Sequence, residues 1–194
     1  MRPIKYNSQR DNFDFQGTFK GNKQCFSTCA WMFLSYFIPA ILGDNDNGLA
    51  KYVDDVEVKV GTEPSIAEEV FKESGFSSFW WSVQKVGIQR WLDYYLTGKT
   101  VIFENLTESY SSLSDIIKKS PIILGTNKMG GLSGGHIILL TDRINDGFFV
   151  HDPYGNATTL YVDHNGSNVF YSDSFLTKYS IFGQNNRVRF MYAV

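Results

Sequence analysis

STCAWMFLSYFIPAIL, residues 27–42, is apolar on nearly every side, and a helix without a polar face belongs in the middle of a protein. Ser27 or Thr28 is placed to cap its start, and Pro39 is expected to kink or end it. Just ahead of this run stands Cys25. A helix tip offers partial positive charge and unpaired N–H groups, the conditions that favour a thiolate. A first turn gripped on all sides by core is also rigid, which makes it a firm seat for a nucleophile.

Outward from that helix the chain divides in two. Residues 1–24 are polar and read as an irregular entry segment, with room for one short strand. DNDNG at 44–48 reads as a turn, and its glycine falls one place early for a calcium loop. Pro64 and Gly75 bracket a helix over 64–74. Val83, Val86, Ile88, Trp91, Leu92 and Tyr95 recur at helical spacing and predict another over 83–97. Short strands are expected at 101–103 and 121–124, with a helix at 113–119 between them. From His136 onward the runs HIILLTD, GFFVHD, TTLYVD, NVFYS and RVRFMYAV are separated by turn sequences NDG, DPYGNA and HNG. The expected fold is α+β, a helical first half packed on a C-terminal antiparallel sheet. With 194 residues, 43% of them apolar, a single domain over 1–194 is expected.

Charge excludes some partners. Eighteen Lys and Arg against 20 Asp and Glu leave a formal charge of −2, with no basic surplus to attract nucleic acid or an anionic membrane. No apolar run follows the basic N-terminus and none is long enough to span a bilayer. The expectation is a soluble protein, without signal peptide or membrane insertion. The two cysteines, Cys25 and Cys29, are four residues apart at a helix start, a spacing that suits free thiols better than a mutual disulfide.

A cysteine nucleophile needs an imidazole within hydrogen-bond reach and a third group to hold that ring. There are three histidines. A hairpin pivoting at Ile144 would set His136 directly opposite Asp152, on one face of the sheet. His151 would face the other way, and His164 in HNG would be solvated. A zinc site from His136, His151 and Asp152 would ask neighbours on opposite faces to converge. Glycines 130, 131, 134 and 135 allow another backbone to approach His136 closely. Trp80 and Trp81 have two uses, as groove lining or, more commonly for aromatics, as core. Tyr154 and Asn156 have a plain role in shaping the DPYGNA turn.

The segments SQRDN (8–12), CFSTCAWMFLSYF (25–37), GGHIILLTD (134–142) and VHDPYGNA (150–157) resemble the papain-like cysteine peptidases that process bacteriocin leaders. That family's pattern runs SQ-x-DN, C-x-x-T-S-x-x-M-x-L-x-Y, a G-H strand and a DPYGNA turn. The resemblance implies a papain-like fold, Cys25 as nucleophile, His136 as base, Asp152 as the group orienting it, and a glutamine in the oxyanion hole. Gln9 matches the SQ-x-DN motif, and Gln16 and Gln24 are the alternatives. The chain departs from the pattern at Phe26, where Gly or Asn is usual, and at Cys29, where Ser is usual. CFSTCAW also has a superficial likeness to the papain signature, in which the second cysteine attacks, so Cys29 stands as an alternative nucleophile.

The implied reaction is hydrolysis of a peptide or amide bond through a thioester, with no cofactor. The expected substrate is a bacterial leader peptide or a cell-wall peptide. The first suits a cytoplasmic enzyme and the second a phage-encoded lysin or virion part. Two other classes fit the same residues: a papain-like module that binds peptide or peptidoglycan without cutting, kept in view by the bulk of Phe26, and an acyl or amide transferase.

Overall fold

A computed structural model describes residues 3–10, 24–43, 45–59, 79–96, 98–106, 109–179 and 188–194. The buried helix comes first, as α1 (Cys25–Phe37), and nine consecutive residues from Ser27 to Ser35 are buried in it. It begins two residues earlier than expected. Gln24 is its N-cap, through its backbone carbonyl to Thr28 N at 2.9 Å, and its side chain makes no capping bond. Ser27 and Thr28 are therefore buried members of the first turns and not caps. Its end is where Pro39 predicts a break: the helix stops at Phe37, and Pro39 opens a short 3-10 turn, Pro39–Gly43. Proline has no N–H for the α pattern, and the residue before it is pushed out of helical geometry.

The expected turn at 44–48 is instead the start of α2 (Asn45–Val53), which runs into a π-helical turn, Asp54–Val58. Gly48 lies against the Trp31 indole, where a Cβ would come within 2.3 Å of the ring. The helix predicted at 64–74 lies outside the described residues. The longest helix is α3 (Phe79–Tyr95), and every position that carried its sequence signal falls within it.

The strands are β1 (Val101–Leu106), β2 (Ile122–Asn127), β3 (Gly135–Ile144), β4 (Gly147–His151), β5 (Val169–Ser172) and β6 (Val188–Ala193). They form one antiparallel sheet in the order β1-β6-β2-β3-β4-β5, so the last strand of the chain inserts between the first two. A 3-10 turn at Tyr110–Leu113 leads into the short α4 (Ser114–Ile117), and α5 (Asp173–Lys178) follows β5. TTLYVD is not a strand. It holds a 3-10 turn, Ala157–Thr159, followed by Leu160 and Tyr161 in left-handed backbone at φ 55° and 62°.

Apolar side chains pack on both faces of the sheet. Ile123, Ile137, Leu139 and Met191 meet α1 and α3 on one face. Leu124, Ile138, Leu140, Val150 and Phe190 meet residues 110–117, α5 and the 157–161 turn on the other. The alternation of neighbours along each strand between the two clusters is the period-2 signature of a strand buried on both sides. The architecture is α+β. Among the described residues, no helix is long and apolar enough to cross a membrane.

Candidate active site

Cys25 is the first residue of α1, where the N–H groups have no carbonyl above them within the helix. One turn deeper, the buried Cys29 thiol donates to the carbonyl of Ile137 at 3.4 Å. That bond registers the helix on β3 next to His136 and brings the tip of α1 to the beginning of that strand. Cys25 is partly exposed there, close enough to the His136 imidazole to help raise its pKa.

His136 and Asp152 meet by a different register from the expected one. At the tip of the β3–β4 hairpin, Ile144 pairs with Gly147 and Asp142 with Phe149; deeper in, Leu140 pairs with Val150 and Leu139 with His151. The shift between Leu140 and Asp142 is a bulge at Thr141, whose hydroxyl bonds Phe149 O at 3.1 Å. Continued inward, this register sets Ile138 opposite Asp152, so His136 is its diagonal neighbour and not its direct partner. Diagonal neighbours share a face and remain within reach of a long side chain. Without the bulge, Asp152 would fall opposite Leu139 and point to the wrong face. One extra residue therefore decides whether the pair exists.

The pair is tight. His136 Nε2 lies 2.7 Å from Asp152 Oδ1, with His136 2% and Asp152 0% exposed. An ionised carboxylate only accepts, so the ring N–H at Nε2 donates to Asp152. Burial is the largest single influence on His136 and pulls its pKa down. It is outweighed by the charge and hydrogen bond of Asp152, together with Cys25, and the ring is pushed up to about 10.

Asp152 has no idle lone pair. Oδ1 also accepts from Tyr154 N at 3.0 Å, and Oδ2 accepts from Tyr171 at 2.9 Å and Tyr161 at 3.3 Å. Four donors match the roughly four acceptor sites of a carboxylate. Its backbone is pinned as well. Tyr6 donates to the Asp152 carbonyl at 3.0 Å, and Asp152 N donates to Gly166 O at 2.9 Å. Gly166 must be glycine for this approach, because a Cβ there would fall 1.9 Å from the Asp152 carbonyl oxygen. Sequence reasoning missed Tyr161 and Tyr171, and gave Tyr154 only a turn-shaping role. Tyr154 and Tyr161 also set ring edges on His136, at 6.2 and 6.0 Å.

The N-terminal segment is held across this site. Asn7 N bonds the Met32 sulfur on α1 at 3.2 Å, Gln9 N bonds Pro153 O at 2.9 Å, and Arg10 Nε bonds Tyr154 O at 2.7 Å. Gln9 is thus buried between α1 and the turn carrying Asp152, at 1% exposed. Gln24 is equally buried beside Cys25, and Gln16 lies outside the described residues.

The remaining candidates separate cleanly. Cys29 is fully buried, its thiol pushed up by burial first and then by Cys25 and Asp152, which corrects its standing as an alternative nucleophile. His151 is on the other face, its Nδ1 accepting from Asn168 N at 3.1 Å and its Nε2 donating to the Ile4 carbonyl at 2.9 Å. His164 is exposed beside Arg10. Asn156 shapes its turn, its side chain accepting from Thr158 N at 3.0 Å. Trp81 is core, 7% exposed and stacked on Phe103, while Trp80 is 47% exposed. Among the described residues, no group of His, Cys, Asp and Glu could hold a metal ion.

Gly134, two residues before His136, borders open space, since a Cβ there would meet nothing within 4 Å. A separate cavity of about 470 Å³ lies between α3 and the π-helical turn, lined by Val56, Gly87 and Trp91 among others, and shares no residue with this cluster. Concavity and chemistry therefore point to different places. The cysteine, imidazole and carboxylate in mutual contact carry the stronger functional signal. No family model matches this chain, and no curated protein or solved structure matches it, so the meaning of the site rests on its own geometry.

Proposed function

We propose that the protein is a papain-like cysteine peptidase in which Cys25 attacks an amide carbonyl, His136 moves the proton and Asp152 orients His136. The observation that carries this reading is the continuous chain of contacts from a helix-tip thiol, through a buried imidazole, to a carboxylate 2.7 Å away. In the reaction, the Cys25 sulfur adds to the carbonyl carbon, and the Cys25 backbone N–H and the Gln9 side chain receive the oxyanion. The His136 imidazolium then protonates the leaving amine, and the C–N bond breaks to leave a thioester. Water, deprotonated by His136, hydrolyses the thioester and regenerates the thiol. Asp152 remains a carboxylate throughout and steadies the imidazolium.

The substrate class is a bacterial peptide, either a leader or a cell-wall peptide. The bulk of Phe26 is the feature that would suit a binder that does not cut. Its ring packs edge-on against Trp81 with centroids 4.7 Å apart, which favours the hydrolytic reading over that one.

Wild type and Cys25→Ala incubated with purified peptidoglycan and with double-glycine peptides, and analysed by mass spectrometry for new amino termini, test the proposal. Cleavage by wild type alone is the expected result. In parallel, iodoacetamide should alkylate Cys25 well below about pH 8.5, the ordinary range of a free thiol, and more slowly in His136→Ala. Slow, unselective labelling with no new termini would overturn the enzyme reading. Transfer of the acyl group to an added amine in place of water would redirect it to a transferase.

A further inference from the structure

Resting on the peptidase reading, we propose that Tyr161 and Tyr171 are positioning residues, whose hydroxyls clamp the far oxygen of Asp152 so that its near oxygen keeps the His136 ring turned toward Cys25. Oδ1 alone would not fix the carboxylate, because rotation of the Asp carboxyl group is soft. Tyr171 at 2.9 Å and Tyr161 at 3.3 Å both donate to Oδ2 and remove that freedom. The two phenols arrive from separate elements. Tyr171 stands on β5 and also accepts from Ala157 N at 2.8 Å, which ties the turn leading to Tyr161 into the same network.

The backbone around Tyr161 is strained. Leu160 and Tyr161 are consecutive left-handed residues, a conformation costing about 1–2 kcal/mol per non-glycine residue. Such strain persists only where surrounding contacts over-determine it, and it clusters at functional sites. Asn156 supplies part of the hold, its carbonyl accepting from Tyr161 N at 3.0 Å. Gly130 supplies the room, since a Cβ there would fall 2.5 Å from the Tyr161 ring. Burial first, and then the charge of Asp152, push both phenols far above their ordinary range, so they stay donors throughout the working pH range.

The test is the rate of Cys25 alkylation by iodoacetamide, followed from about pH 4 to about pH 9 in wild type, Tyr161→Phe, Tyr171→Phe and the double variant. Phenylalanine keeps the ring and deletes only the donor. A hydroxyl donating to a carboxylate favours its ionised form, so each deletion should move the acid limb of the profile to higher pH, and the double variant should move it further. The neutral-pH rate should fall roughly threefold to tenfold per hydroxyl, the range expected for one hydrogen bond. Tyr192→Phe, whose hydroxyl meets the exposed Glu104 at 3.4 Å, is the control and should overlay wild type. Fast wild-type labelling with unmoved profiles in the phenylalanine variants, even with a lower melting temperature, would overturn the clamp and leave the peptidase reading standing. Slow wild-type labelling would remove both.

Discussion

His136 and His151 sit on neighbouring strands and point to opposite faces of one sheet, and both are buried, at 2% and 6% exposed. Their surroundings drive them in opposite directions. His136 faces a carboxylate and is pushed up to about 10, whereas His151 has only peptide groups for partners and is lowered, chiefly by burial. Burial by itself makes a histidine neutral and inert. A charged partner in the same low-dielectric setting is what makes it a stable imidazolium and a usable acid. The lesson extends to the cysteines, one helical turn apart, of which only the one at the helix tip touches an imidazole.

The largest effect should come from erasing the difference between the two faces. Asp152→Asn keeps the shape but removes the charge, leaving His136 in surroundings like those of His151. Loss of a charge-assisted hydrogen bond should slow Cys25 alkylation at neutral pH roughly tenfold to a hundredfold. An unchanged rate would mean that Asp152 contributes nothing to the ring.

Stability against pH sharpens the contrast next. In the unfolded chain His136 has the ordinary imidazole value of 6.5, and in the fold it is pushed up to about 10. Between those values the folded state holds a proton that the unfolded state has released. The stabilising contribution is therefore full below pH 6.5 and is lost as pH rises through about 10. Urea titrations across that window should show stability declining by on the order of a few kcal/mol, with the decline absent in Asp152→Asn. A flat wild-type curve would contradict the buried ion pair.

The smallest effect belongs to His151 and has the opposite sign. Its folded pKa is depressed, so the unfolded state binds the extra proton, and stability falls as pH drops below the unperturbed value of 6.5. His151→Gln should remove that part of the acid-side loss, with no change in Cys25 alkylation. If alkylation fell with it, the two faces would not be independent.

Cysteine, histidine, aspartate and their order along the chain are legible in the sequence, as are the buried helix, the long α3 and most of the strands. Each depends on local composition: an all-apolar run, a period of 3.6 or 2, or a turn sequence. TTLYVD misled because its β-branched and aromatic residues imitate a strand, while the two left-handed residues inside it depend on contacts with Asn156 and Gly130. DNDNG misled in the other direction, since turn-prone residues are also good at opening helices.

What the sequence determined by itself was the inventory and its rough placement, because hydrophobic period and turn chemistry are local. What only the tertiary structure decided was the meeting. The Thr141 bulge selects the face on which Asp152 appears, the Cys29 bond to Ile137 registers α1 on β3, and Tyr161 and Tyr171 close on the carboxylate from separate elements. Those are contacts between residues far apart in the chain, set by how two buried sheet faces fill. A one-residue slip reverses them without changing a single local preference.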